Sequence, residues 1–383
     1  MSKNRICHLT SVHPWADTRI LYRECASLSK FGYEVHLVVA NQKAGTFPGV
    51  QIHEVHAPAG NRLTRMWSTS RAMFHKALEV DAALYHFHDP ELIPVGRRLQ
   101  RRGKKVIYDV HEHVPNQIRT KYHTPSLLRP AIANAFDWFE KRMAKKMDGV
   151  VTAVDTVRER LLPCNPLTVD VNNYPEGEII YVEKDWSRKT RDVIYVGLIN
   201  EIRGIRELMD ALALPGSWRL TLVGTFGTPD LEKQMRQHPG WNRVDYLGQR
   251  SRSEVADLLA QSRIGIVTFL SAPNHDNNQP NKLFEYMAAG IPVVCSHFPR
   301  WKKIMDEAAC GICVDPASPS EIDAAVVHLL SLPEKSQAMG LGGRKAMEST
   351  YNWGSEEEKL FDLYRKLLEV TPRNFAHNQS LER

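Results

Sequence analysis

Short runs of consecutive apolar residues alternate along this chain with longer stretches in which apolar residues recur every three or four positions. Ile6–Thr10, Tyr33–Ala40, Gln51–Ala57, Leu84–His88, Lys105–His111 and Gly149–Val154 read as strands. Between them, Thr18–Phe31 places Ile20, Leu21, Cys25 and Leu28 on one helical face and stops at Gly32. Leu63–Leu78, Glu91–Arg102 and Leu127–Lys146 read as further helices. Strands apolar throughout and separated by helices predict a parallel sheet covered on both faces. Val169–Pro175 reads as a linker. A second series follows, with strands at Asp192–Val196, Arg219–Val223, Val244–Leu247, Ile264–Phe269, Pro292–Cys295 and Gly311–Val314. Ser251 with Glu254, Ser318 with Glu321, and Ser355 with Glu358 have the spacing of helix capping boxes. The last helix carries Leu360, Tyr364, Leu367 and Leu368 as its apolar stripe. The pattern predicts an α/β protein of two doubly wound, Rossmann-like domains, residues 1–175 and 176–354. A final helix over 355–372 and a disordered polar tail over 373–383 complete it.

Composition narrows the class. A length of 383 residues suits two domains, and 43% hydrophobic with 25% charged residues suits a globular protein. No apolar run reaches the roughly 18 residues of a membrane span. Met1-Ser-Lys-Asn-Arg5 leads straight into strand-like residues, which predicts no signal peptide and hence a cytoplasmic protein. Cys310 and Cys313 form the one C-x-x-C among six cysteines. A zinc ribbon needs two such pairs, so buried reduced thiols are expected. Residues 1–175 hold 25 lysines and arginines against 16 acids, a net +9, while the remainder is net −3. The first half is therefore expected to meet something anionic, either a membrane surface or nucleic acid.

The stretch Gln279–Val294 carries the most chemistry. Pro280 and Asn281 can open a helix; Gly290 and Pro292 end it, ahead of the short apolar strand. Lys282 and Glu285, three apart, share the face of the first turn. A cation beside a helix N-terminus suits phosphate, and a carboxylate suits ribose hydroxyls, so the pattern points to a nucleoside diphosphate. A solvated ion pair on an ordinary amphipathic helix is the plainer alternative.

The residues Pro-x-Lys-x-x-Glu-Tyr-Met-Ala-Ala-Gly-x-Pro-Val-Val resemble the donor signature of family 4 glycosyltransferases of the GT-B fold. The resemblance spans about residues 5 to 370. It implies two Rossmann-like domains facing a central cleft, with the C-terminal helix crossing back to the first. It also implies retaining transfer of a sugar from a nucleotide donor, a UDP-sugar, to a saccharide or lipid-linked saccharide acceptor in surface-polysaccharide assembly. No metal or other cofactor and no nucleic-acid partner is expected.

By that resemblance the catalytic residues are His111, Arg203, Lys282 and Glu285. The donor would be held by Gly197, Arg203, Gly248, Asn277, Asn278, Gln279, Asn281, Lys282, Leu283 and Glu285. Asp17, His88, Asp89 and Glu112 are expected on the acceptor side, and Tyr85–Glu91 and Tyr108–His113 would line the cleft. The sequence departs from the family at three places. Leu198 stands where an arginine follows the glycine, Asn277 replaces the first of two glutamates, and His13–Arg19 lacks the glycines of the first-domain loop. His86-x-His88-Asp89 also has metal-ligand composition, although the longer metallohydrolase run is absent. Basic segments of the first domain containing Trp67, Phe74 and Lys141–Lys146 suit an anionic membrane at the inner face of the plasma membrane. The rival readings are a nucleotide-sugar epimerase of GT-B shape and a basic nucleic-acid-binding protein. No Gly-x-Gly-x-x-Gly follows the first strand, which argues against a nicotinamide-dependent dehydrogenase.

Overall fold

A computed structural model describes residues 4–56, 62–120, 125, 128–174, 186–272 and 280–368. The chain divides into two compact units. One holds the residues up to Asn173 and those from Glu356 onward, the other Tyr174–Ser355.

The first unit is a seven-stranded parallel sheet. Its strands are β1 (Arg5–Thr10), β2 (Glu34–Ala40), β3 (Val50–Val55), β4 (Leu84–Phe87), β5 (Lys105–Val110), β6 (Gly149–Thr152) and β7 (Thr168–Asp170), in the order β3-β2-β1-β4-β5-β6-β7. Side chains alternate between the faces of a strand. Leu9, Phe87 and Tyr108 therefore face Met73, Phe74 and Ala77 of helix Arg62–Val80 and Leu99 of helix Ile93–Gln100. The alternate positions, His8, His86 and Asp109, belong to the opposite face. The last helix, Trp353–Leu368, packs within this unit from Glu356 onward. Phe361 stacks on Phe31 at 4.0 Å between centroids, and Leu363 and Leu367 meet Gly149.

The second unit has β8 (Arg191–Val196), β9 (Leu220–Val223), β10 (Val244–Gly248), β11 (Ser262–Val267), β12 (Val293–Ser296) and β13 (Gly311–Val314). All are parallel, in the order β10-β9-β8-β11-β12-β13. One face buries Phe284, Met287, Trp301 and Met305; the other buries Leu208, Leu212, Ile322 and Leu329. Helix Asn281–Ala288 lies close to β11 because Gly265 has no side chain: a Cβ there would strike the Tyr286 ring. Strand order reverses at β1/β4 and again at β8/β11, where such sheets accept ligands beyond the strand C-termini.

Four expectations are corrected. The stretch read as a linker contains β7, whose Val169 pairs with Val151. Its three-residue length and charged Asp170 hide it in the sequence. The helix expected over Thr18–Phe31 begins as a π-helix over Thr18–Cys25 and continues as α over Ala26–Lys30. Ser355 lies inside its helix rather than at the cap: Asn352 Oδ1 accepts from Ser355 N at 2.9 Å. Ser318 caps Glu321 N, but the Glu321 carboxylate accepts from Asp315 N rather than completing a box. The Ser251–Glu254 box is complete.

Candidate functional site

In the second unit the candidate residues converge where β8 and β11 part. β8 runs into Gly197, whose φ of +123° is a conformation glycine adopts freely. A Cβ there would also strike the Lys282 ammonium. Beyond the turn, Asn200 caps the short helix that carries Arg203, accepting from Arg203 N at 3.2 Å. Arg203 Nη1 donates to the Leu198 carbonyl at 3.1 Å, which fixes the guanidinium beside the turn. Helix Asn281–Ala288 brings Lys282 to the same place, and Tyr286 Oη anchors that helix by accepting from Val196 N at 3.0 Å.

Two cations thus meet around aromatic rings. Lys282 Nζ lies 5.5 Å from the Tyr195 centroid and 5.9 Å from that of Phe269; the Arg203 guanidinium lies 5.4 Å from Phe269. Lys282 is half-buried and, among the described residues, makes no ion pair with Glu285 or any other carboxylate. The surface-pair alternative is therefore set aside. Burial, then repulsion from Arg203, pull the Lys282 ammonium down to about 8, against a smaller opposing pull from Glu285. Burial raises Glu285 above the ordinary carboxyl range, against Lys282 and Arg252. The helix N-terminus bears no side-chain cap. Two converging cations that form no ion pair with a carboxylate among the described residues, beside a helix start with no side-chain cap, can receive a diphosphate.

The other donor candidates are dispersed. Asn281 is exposed at the helix start, Leu283 is buried in the core, and Gly248 ends β10 with its carbonyl accepting from Gly224 N at 2.8 Å. Asn277, Asn278 and Gln279 lie outside the described residues. Sequence reasoning missed Tyr195 and Phe269, which shape the cation pair; their signal was an aromatic at the end of each switch-point strand.

In the first unit, alternation places His8 and Thr10 of β1, His86 and His88 on β4 and just beyond it, and Asp109 and His111 on β5 and just beyond it, on one face. The register sets His8 beside His86. Arg19 enters from the π-helix. Its Nε and Nη2 each donate to Asp109 at 3.1 Å, and Nη1 donates to the Val171 carbonyl at 2.6 Å. Burial pushes Asp109 up, but Arg19 and then His111 outweigh it and hold the carboxyl well below its usual range. His88 Nδ1 is 3.2 Å from Asp109 Oδ2 and 3.0 Å from His111 Nε2.

His88 and Asp89 were expected to line a cleft, but each is only 2% exposed. Asp89 instead organises the loop after β1: its Oδ2 accepts from Ser11 N at 2.6 Å and Thr10 Oγ1 at 2.9 Å, and its Oδ1 meets His13 Nδ1 at 3.0 Å. Burial opposes ionisation of Asp89, but His13 and these donors hold it at about 2. Asp17 caps the π-helix, accepting from Arg19 N and Ile20 N. His111 stays partly open, with 16% of its side chain exposed, and Glu112 is exposed. Arg19, Glu24 and Tyr364, which build this region, were absent from the expected site.

Residues 18–165 match the model of the glycosyl transferase 4-like domain, and residues 190–332 match that of glycosyl transferases group 1. Spore coat protein SA of Bacillus subtilis is 30% identical over 84 residues; the match spans about a fifth of each chain, 22% in both cases. Sucrose-phosphate synthase from Thermosynechococcus elongatus superposes with a TM-score of 0.73 at 17% identity, covering 96% of this chain and 100% of that one. HepE of Anabaena, solved with UDP, gives 0.70 at 14% identity over 95% and 100%; it has also been solved with UDP-glucose. At such identities these structures establish the fold alone, two Rossmann-like domains of GT-B type. With both domain models matched along the chain, this protein belongs to family 4 of the glycosyltransferases, the group 1 enzymes of the GT-B fold.

Proposed function

We propose that the second domain binds a UDP-sugar and that the protein transfers the sugar to a saccharide or lipid-linked saccharide, with retention, in the assembly of a surface polysaccharide. The observation that carries the donor reading is the half-buried Lys282 ammonium beside Arg203, which makes no ion pair among the described residues. The diphosphate lies against these two cations and the N-terminus of helix Asn281–Ala288, and Glu285 accepts from donor hydroxyls. HepE, of the same fold, is the protein solved with UDP and UDP-glucose. In the transfer, the bond from the anomeric carbon to the phosphate oxygen breaks as the acceptor oxygen bonds to the same face of that carbon. The acceptor's proton leaves on the departing phosphate. Charge builds on the diphosphate during this step, so fixed cations in a site poor in water stabilise the transition state more than the ground state. No step calls for a metal. On the first domain Glu112 is the acceptor-side candidate that stays open, since His88 and Asp89 are buried and Asp17 caps a helix, and His111 is the partly open catalytic candidate beside it.

The membrane partner rests on helix Arg129–Ala144. Ile132, Trp138 and Phe139 are exposed there, with Trp138 at 64%, and Arg142 lies 5.7 Å from the Trp138 ring. Apolar and aromatic groups among cations suit anionic lipid at the cytoplasmic face. Among the described residues no helix is long and apolar enough to cross a membrane.

Binding and hydrolysis measured across UDP-, GDP- and ADP-sugars test the reading. UDP-sugars are expected to bind, and Lys282→Ala or Glu285→Ala to lose at least tenfold in affinity or turnover. Unchanged turnover in both variants refutes the site. Release of an epimerised sugar without an acceptor supports the epimerase instead.

A further inference from the structure

The buried face of the first domain holds a second constellation, separate from the donor site. His8 on β1, Glu24 on the π-helix, and His86 and His88 at the end of β4 are each at most 2% exposed. One ligand atom from each lies within 4.8 Å of all the others. His8 Nδ1 and His88 Nε2 are 2.9 Å apart, and Glu24 Oε2 is 3.9 Å from both His8 Nδ1 and His86 Nδ1.

Two observations set this cluster apart from a satisfied polar core. Among the described residues, neither Glu24 oxygen has a hydrogen-bond partner, and neither has His86 Nε2. Arg19 Nε lies 3.1 Å from Glu24 Oε1, but the guanidinium directs its N–H groups to Asp109 and Val171. Arg19 lies 3.1 Å from both the Glu24 and the Asp109 carboxylates, and one guanidinium balances only one of two carboxylate charges. A buried polar group without a partner is costly, and more so when charged. The outer contacts are those a ligating imidazole needs. His88 turns Nδ1 to the Asp109 carboxylate and Nε2 inward; His8 turns Nε2 to Tyr364 Oη at 3.1 Å and Nδ1 inward. His86 sets Nδ1 against the same Tyr364 Oη at 2.9 Å, so its unpartnered Nε2 is the ring atom left for a ligand; a carboxylate or hydroxyl behind a ring fixes its tautomer and orientation.

We propose that His8, Glu24, His86 and His88 form a closed, four-coordinate site for a divalent transition metal of the zinc type. Three imidazoles and one carboxylate match zinc's preferred donors, and all four positions come from the protein, so the site is structural. The ion would tie the π-helix to β1 and β4, and would neutralise Glu24. A proton shared between Glu24 and the adjacent Asp109 is the competing way to neutralise it.

The test uses the full chain. Wild type, loaded with zinc and dialysed, is expected to retain one zinc per chain by elemental analysis. A strong chelator should lower its melting temperature, and zinc should restore it. Cobalt loaded in place of zinc should give the intense visible bands of a tetrahedral ion. Glu24→Gln and His86→Gln should weaken zinc binding at least tenfold, while His238→Ala, on the second domain, leaves it unchanged. Should the ligand variants fail to fold, the cobalt spectrum of wild type decides. The proposal is overturned by wild type that holds no stoichiometric zinc, by a cobalt spectrum of octahedral weakness, or by equal retention in folded ligand variants, which would mark adventitious binding. Stability that varies with pH and ignores zinc assigns the cluster to the shared proton.

Discussion

The depressed ammonium of Lys282 makes donor binding a pH-dependent event with a calculable span. An unperturbed lysine titrates near 10.5, and Lys282 is held at about 8. The difference corresponds to about 3 kcal/mol of differential interaction. The folded-state value is depressed, so the buried charge destabilises the free protein fully below about 8, and this penalty disappears as pH rises towards 10.5. At the proposed donor site a bound diphosphate would place an anion against Lys282 and return it towards its ordinary value. Binding therefore takes up a proton between about 8 and 10.5, and affinity is greatest below 8. From pH 7 to pH 9 the affinity for UDP should fall about tenfold, with about 0.9 proton taken up per UDP bound at pH 9. Titration calorimetry in buffers of different ionisation heat measures both quantities. Lys282→Arg should bind without this slope, and Lys282→Gln should bind weakly at every pH. Equal wild-type affinity at pH 7 and 9, or the same slope in Lys282→Gln, refutes the reasoning.

Three further outcomes follow from the same structure. Lys282→Met should stabilise the free protein by about 1–3 kcal/mol at pH 7, read as a raised denaturation midpoint, while abolishing UDP binding, because the charge is held against desolvation for its ligand. Gly197→Ala should weaken UDP at least tenfold with the fold retained, since the new methyl group both meets Lys282 and sits at a φ of +123°. Asn352→Ala should cost about 1–2 kcal/mol in urea unfolding. It removes the cap on Ser355 N and two hydrogen bonds, from Nδ2 to the carbonyls of Met347 and Glu348.

Helix Asn281–Ala288 was legible because its information is local. Pro280, Lys282, Glu285 and Gly290 sit within one short segment, and turn chemistry and charge spacing can be read without knowing what packs on them. The alternation of strands and helices was legible for the same reason. The histidine–carboxylate cluster was not. His8, Glu24, His86, Asp109 and Tyr364 come from separate elements, the last pair of contacts spanning most of the chain. One signal was present: His8, His86 and Asp109 interrupt otherwise apolar strands, and in a sheet buried on both faces a polar residue must find partners. The π-turn and β7 escaped because three residues of strand or one widened turn leave no periodicity to read. The two misplaced caps show the limit of spacing alone: Ser355 had the right neighbours, but the helix had already begun at Trp353.

Because the first domain is assembled from Arg5–Asp170 and from the residues after Glu356, its construction on the ribosome is interrupted. The second domain can be synthesised and collapse first, while the pocket around His8 and His86 waits for Tyr364. Until that tyrosine emerges, Phe31 and Gly149 lack their covering residues, and the nascent sheet exposes an apolar face to the cell's chaperones. Premature termination anywhere before the final helix would thus damage the oldest part of the polypeptide rather than the newest.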